Sequence, residues 1–205
     1  MAYRPKFPQT PETYDSVYES GGWMGTYLKP YQESVYFQMF NTAIHHLGRL
    51  RARSVLEVGC GNGAFAQMVY DQTNTKYRGF DFSPVAVDMA SERCSQFDIY
   101  TADAMDGSSY RGDYDTIVCL EVLEHLPDDM EVISNWLPGT SFVCSVPNFN
   151  SKYHERFFSN EDAVLDRYEK VLNIRRMESV QHHGYPGRRP KGNRKWFVFS
   201  GIVKE

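Results

Sequence analysis

Strand-like and helix-like segments alternate along this chain, which predicts an α/β fold, a doubly wound sheet with helices on both faces. Two further observations say where such a sheet binds a ligand. The apolar run Val55-Leu56-Glu57-Val58 passes straight into Gly59-Cys60-Gly61-Asn62-Gly63 and then into the apolar helix start Ala64-Phe65. About twenty residues on, a second strand ends in Gly79-Phe80-Asp81-Phe82, where a carboxylate is placed to accept both hydroxyls of a ribose.

The elements follow in order. Residues 31–44 carry apolar or aromatic side chains at 35, 36, 39, 40 and 44, one face of a helix that should lie on the sheet. Strands are predicted near 54–58, 76–81, 97–101, 114–120, 140–146, 171–180 and 195–204. Ser83-Pro84 sets an N-cap before a proline in the first helical turn, opening a helix to about Arg93. Another helix should start near Ser159-Asn160-Glu161-Asp162 and run through Tyr168. Ahead of all this, Tyr14, Tyr18, Gly21-Gly22-Trp23-Met24-Gly25 and Tyr27 make a glycine-punctuated aromatic segment. Such a segment can fold as a lid over a ligand at the strand ends, or simply pin the N-terminus to the core.

With 205 residues, 41% hydrophobic and 23% charged, the chain suits one globular domain with a well-buried core. The expected division is residues 1–50 as lid and helix and 51–205 as catalytic core. No apolar run approaches membrane-spanning length, and the N-terminus lacks the apolar core of a secretory signal, so a cytoplasmic protein without a membrane partner is expected. Cys60, Cys94, Cys119 and Cys144 show no C-x-x-C pairing, which reads as buried reduced thiols. A formal net charge of −4 argues against nucleic acid as the partner. Nothing in the residues sets an oligomeric state.

Gly59, Gly61 and Ala64 satisfy the G-x-G-x-x-G/A dinucleotide fingerprint as well, but Glu57 at the strand end suits a ligand carrying an ammonium group better than a pyrophosphate. Here the chain resembles the class I S-adenosylmethionine-dependent methyltransferases, with their E/D-x-G-x-G-x-G motif. Thr101-Ala102-Asp103-Ala104 resembles the segment in which that family's aspartate meets the adenine amino group. Tyr114 through Leu126 resembles the motif whose strand delivers substrate-facing residues, and Phe142 through Asn148 the fifth strand. The resemblance implies a Rossmann-like seven-stranded sheet with an antiparallel last strand. It also implies S-adenosyl-L-methionine as cofactor, held by Glu57, Gly59, Cys60, Gly61, Asp81, Phe82, Asp103, Ala104, Leu120 and Glu121.

Glu121, Glu124 and His125, spaced i, i+3 and i+4, would point at one spot if they sat on a helical turn. With His154 as a fourth group they offer carboxylate and imidazole ligands suited to Mg2+ or Mn2+. This E-x-x-E-H with a later histidine resembles both the ubiquinone-biosynthesis O-methyltransferases and the small-RNA 2′-O-methyltransferases. Without a metal, His125 or His154 would serve as a base or orient the substrate, or the histidines would be purely structural; Glu121, His125 and His154 are the candidate catalytic residues. A hydroxyl acceptor needs a base or metal because its pKa lies far above neutrality. The expectation is therefore O-methylation of a small molecule or saccharide. An RNA 2′-O-methyltransferase, an N-methyltransferase, a noncatalytic S-adenosylmethionine-binding protein and a nicotinamide-dependent enzyme stay open as alternatives. The basic cluster Arg188, Arg189, Lys191, Arg194 and Lys195 either grips an anionic acceptor or is a solvated loop.

Overall fold

The computed structural model describes residues 9–182 and 192–205, and, of Trp23 and Met24, the backbone only. Its centre is a seven-stranded sheet of β1 (Ser54–Val58), β2 (Lys76–Asp81), β3 (Asp98–Thr101), β4 (Thr116–Leu120), β5 (Ser141–Pro147), β6 (Leu172–Gln181) and β7 (Lys195–Val203). The strand order is β3-β2-β1-β4-β5-β7-β6. β1 to β5 run parallel, and β7 is antiparallel to both neighbours. The order reverses at β1, between β2 and β4, so the crevice outside the carboxyl ends of β1 and β4 is where a ligand belongs.

Period-two alternation builds both faces. Leu56, Val58, Phe80, Ile117, Cys119, Phe142, Cys144, Phe197 and Phe199 pack on one side with Trp136 and Tyr168. Val55, Val118, Val143, Trp196 and Val198 pack on the other against α2 (Phe37–Leu50) and α3 (Ala64–Gln72). All four cysteines are buried and free.

The remaining helices are α1 (Pro11–Glu19), α4 (Pro84–Arg93), α5 (Asp129–Ser134) and α6 (Glu161–Tyr168). The caps read from the sequence are in place: Ser83 Oγ accepts from Ala86 N at 3.1 Å, and Asn160 Oδ1 from Ala163 N at 2.9 Å. Two expectations need correction. The helix expected from residue 31 starts at Phe37, because Ser34 is extended after a single 3₁₀ turn at Tyr31–Glu33. The segment holding Glu121, Glu124 and His125 is not helical; Glu121 takes φ +56°, and His125 N closes a tight turn on Val122 O at 2.9 Å. No helix among the described residues is long and apolar enough to cross a membrane.

Candidate active site

The turn after β1 brings its backbone amides back over the end of β2. Gly59 N and Cys60 N both donate to Phe80 O, at 2.8 and 2.9 Å. Gly59 has φ +70°, and a Cβ there would lie 2.4 Å from Val122 Cγ2. At Gly63, φ +74°, a Cβ would meet Ala90 Cα at 2.9 Å. Both glycines are thus required by close packing as well as by the turn.

Glu57 is 3% exposed, and the Tyr77 hydroxyl donates to its Oε2. Burial pushes its carboxyl up to about 8, against the pull of that hydrogen bond. Asp81 accepts from Gly61 N at 2.9 Å and Ser83 N at 3.0 Å. Burial raises it to about 6 in spite of those amides. Two buried carboxyls facing one cavity form a site that a cation and ribose hydroxyls would complete. Asp103 is exposed at the rim, its Oδ1 accepting from Met105 N at 2.9 Å.

These groups share one cavity of about 1380 Å³ with His125, His154, Phe149 and Trp196. Every residue assigned to the cofactor from the sequence, Glu57, Gly59, Cys60, Gly61, Asp81, Phe82, Asp103, Ala104, Leu120 and Glu121, lines it. Ligand pockets usually span roughly 300–1,000 Å³, so this one has room for a cofactor and an acceptor together. Tyr14, Tyr18 and Tyr27 from the N-terminal aromatic segment line it as well.

In the loops after β4 and β5, one ligand atom each from Glu124, His125 and His154 lies within 4.8 Å of the others. The two imidazole rings are 4.8 Å apart, edge to face. His125 Nδ1 is 2.9 Å from Tyr153 O, and His154 Nδ1 is 3.2 Å from Phe149 O. A carbonyl can only accept, so each Nδ1 carries the proton and each Nε2 presents its lone pair. Nε2 of His125 lies 3.6 Å from Glu124 Oε1. Glu124 is fully buried, and neither of its carboxylate oxygens has a hydrogen-bond partner among the described residues. Burial, with Glu121 nearby, pushes the Glu124 carboxyl well above its usual range. Burial likewise lowers His125 to about 4 and His154 to about 3, so both are neutral at pH 7.

Glu121 stands outside this group. Its amide donates to Ser145 Oγ at 2.9 Å; Ser145 Oγ donates to its Oε1 at 2.9 Å and Trp196 Nε1 to its Oε2 at 2.6 Å. The helical spacing that grouped Glu121 with Glu124 and His125 fails because the backbone turns left-handed at Glu121.

Sequence reasoning missed the device that assembles the cluster. Arg156 donates to Leu123 O at 2.6 Å, to Leu126 O and to Pro127 O at 2.8 Å, and lies 3.4 Å from the buried Asp129. Glu155 N and Arg156 N both donate to Glu124 O. The loop after β4 is thereby sewn to the loop after β5, which carries His154. Asp129 is held in turn by Arg167 Nε and the Tyr168 hydroxyl, each at 2.8 Å. Of the basic cluster, Arg188, Arg189 and Lys191 lie outside the described residues. Arg194 lines the cavity with its guanidinium 5.0 Å from the Phe149 ring centre, and the Lys195 ammonium lies over Phe197 at 5.1 Å.

The model of the family described as "Methyltransferase domain" matches residues 27–182. The ubiquinone biosynthesis O-methyltransferase of Escherichia coli O127:H6 (strain E2348/69 / EPEC) is 33% identical over 114 residues, covering 51% of this chain and 47% of its own length. That of Coxiella burnetii (strain Dugway 5J108-111) is 30% identical over 118 residues, 50% and 47% of the two chains. The chain thus spans about half the length of the curated relatives it matches. In fold it is similar to the [4+2]-cyclase SpnF, with TM-score 0.68, 14% identity and 95% of each chain covered. It is similar also to the N-methyltransferase NodS from Bradyrhizobium japonicum WM9 in complex with S-adenosyl-L-homocysteine, with TM-score 0.64, 17% identity and 83% and 88% coverage of this chain and that one. The methyltransferase domain of bacterial CtHen1 matches with TM-score 0.63, 17% identity and coverage of 82% of this chain and 100% of that one. Seven strands with an antiparallel β7, a glycine turn between two strand-end carboxylates and a family match over most of the length agree: this chain belongs to the methyltransferase-domain family, as a class I S-adenosylmethionine-dependent methyltransferase.

Proposed function

We propose that the chain methylates a hydroxyl oxygen of a small molecule or saccharide, with Glu124, His125 and His154 gathered at the acceptor oxygen. The observation that carries this reading is the buried, unpartnered Glu124 carboxylate beside two imidazoles whose free nitrogens are set by backbone carbonyls. The relatives named ubiquinone biosynthesis O-methyltransferase support an oxygen acceptor. Methyl transfer is an in-line displacement on a sulfonium-activated carbon, so alignment supplies much of the acceleration. What the protein adds for a hydroxyl is a place for its proton or its developing charge.

The residues fit a divalent cation. An ionised carboxylate buried without a partner costs several kcal/mol, which only a proton or a cation offsets. Glu124, His125 and His154 would hold Mg2+ or Mn2+ through one oxygen and two Nε2 atoms, with Glu121 outside them. A cation bound there would lower the pKa of the acceptor hydroxyl. Without one, Glu124 or an imidazole Nε2 would take the hydroxyl proton; burial raises the affinity of Glu124 for a proton and lowers that of both histidines. At the other end, Glu57 would meet the cofactor's ammonium group, Asp81 its ribose hydroxyls and Asp103 its adenine amine.

The test is methyl transfer from methyl-labelled S-adenosylmethionine to a panel of catechols, phenols, saccharides and primary amines, with Mn2+ present. The expected product is an O-methyl ether formed from at least one hydroxyl acceptor. Methylation of amines alone would overturn the reading.

A further inference from the structure

Helix α1 touches three separate parts of the site. Tyr18 places its hydroxyl 2.9 Å from where a Cβ on Gly61 would stand, against the glycine turn. Asp15 accepts from Ser83 Oγ and from Val85 N at 3.4 Å, which fastens α1 to the start of α4, two residues past Asp81. Tyr14 packs edge-on against Phe82, ring centres 5.1 Å apart, and sets its hydroxyl 2.8 Å from His125 Nδ1. That hydroxyl donates to Gln9 Oε1 at 2.7 Å, so its oxygen is left to accept from His125 Nδ1–H, alongside the Tyr153 carbonyl.

From this we infer that Tyr14 is a positioning residue for His125, and that through α1 it makes the orientation of the His125 ring depend on the seating of the cofactor. The inference rests on the reading that His125 works at the acceptor oxygen. Gln9, Tyr14, Val17 and Tyr18 line the same cavity as Gly61 and Asp81, so a cofactor seated on the glycine turn would add contacts that hold α1 down. With α1 docked, the Tyr14 oxygen fixes the Nδ1–H edge of His125 and aims Nε2 at Glu124. With α1 released, Nδ1 of His125 keeps the Tyr153 carbonyl and loses the Tyr14 oxygen. Two ligands that favour one arrangement of a shared element bind with positive coupling, commonly 5- to 150-fold.

The test uses protein labelled with ¹⁵N-histidine and S-adenosylhomocysteine as the probe, with no acceptor needed. His125 signals are assigned by their absence in His125→Ala. In the wild type, saturating S-adenosylhomocysteine should shift and sharpen the His125 ring signals. In Tyr14→Phe that response should fall to less than about a fifth, while affinity measured by calorimetry changes by less than about threefold. In Asp15→Asn, affinity should weaken about fivefold or more, and His125 should be broadened in the unliganded protein. Backbone amide spectra establish that each variant is folded. An undiminished His125 response in folded Tyr14→Phe overturns the inference. Should Tyr14→Phe not fold, unchanged affinity and linewidths in Asp15→Asn overturn it equally. Methyl transfer by His125→Ala on the acceptor panel tests the underlying reading separately: full activity there removes His125 from the acceptor oxygen even where its coupling to the cofactor persists.

Discussion

Glu124→Gln is expected to lower methyl transfer by about 100-fold or more, with S-adenosylmethionine affinity kept within about threefold, the scale on which losing a positioned base or metal ligand acts. Glutamine keeps the shape of the side chain but neither binds a cation well nor accepts a hydroxyl proton. The same change should not destabilise the protein. A carboxyl whose folded pKa is raised contributes stability that is present at low pH and lost as the pH rises through that value, so Glu124 costs the unliganded fold most in alkali. The thermal midpoint of Glu124→Gln should therefore rise relative to the wild type, and by more at pH 8 than at pH 5. Excess chelator separates the two roles. Loss of wild-type turnover in chelator, restored by Mn2+, makes Glu124 a cation ligand; full turnover in chelator makes it the proton acceptor. Wild-type rates from Glu124→Gln would remove the cluster from the chemistry.

Asp81→Ala should weaken S-adenosylmethionine binding by about 10- to 150-fold, corresponding to the ~1.5–3 kcal/mol of charge-assisted hydrogen bonds to two hydroxyls. Asp81 also holds Gly61 N and Ser83 N, so its loss loosens the glycine turn itself. Burial raises this carboxyl to about 6, which gives the affinity a pH dependence. The Asp81 contribution to binding should be full above neutrality and weaken as the pH falls through about 6, where the ionised form is lost. The stability of the unliganded protein should move in the opposite sense, its Asp81 contribution disappearing as the pH rises from about 4 through about 6. Asp103→Ala should cost less, since Asp103 is exposed and would meet one exocyclic amine rather than two hydroxyls. Calorimetry across pH 5–8 reads both variants, and an unchanged affinity in folded Asp81→Ala would place the ribose elsewhere.

What was legible in the sequence is what depends on local chemistry. Strand period, the Ser83 and Asn160 caps, the glycine turn and the acidic ends of β1 and β2 are set within a few residues of each other, and each stands where the sequence puts it. The cluster of Glu124, His125 and His154 was legible as a set of residue types but not as a geometry. Helical spacing promised three convergent side chains, and the left-handed backbone at Glu121 leaves that residue to Ser145 and Trp196. Arg156 was invisible for a different reason: its partners are carbonyls at 123, 126 and 127, and a carbonyl leaves no trace in a residue pattern. Tyr14 and Tyr18 were legible as a candidate lid, but the contacts of helix α1 with residues 61, 83 and 125 were not, because those partners lie far away in the chain.

The central claim is that a cofactor seated on the glycine turn presents its methyl group to the cluster of Glu124, His125 and His154. Nuclear Overhauser spectra of the protein with [methyl-¹³C]S-adenosylmethionine test this most directly, because the methyl protons report only neighbours within about 5 Å. The account predicts cross-peaks from the methyl group to the ring protons of His125 or His154, absent when both are replaced by alanine. A bound, sharp methyl signal with cross-peaks only to residues of α3 or β3 would contradict it.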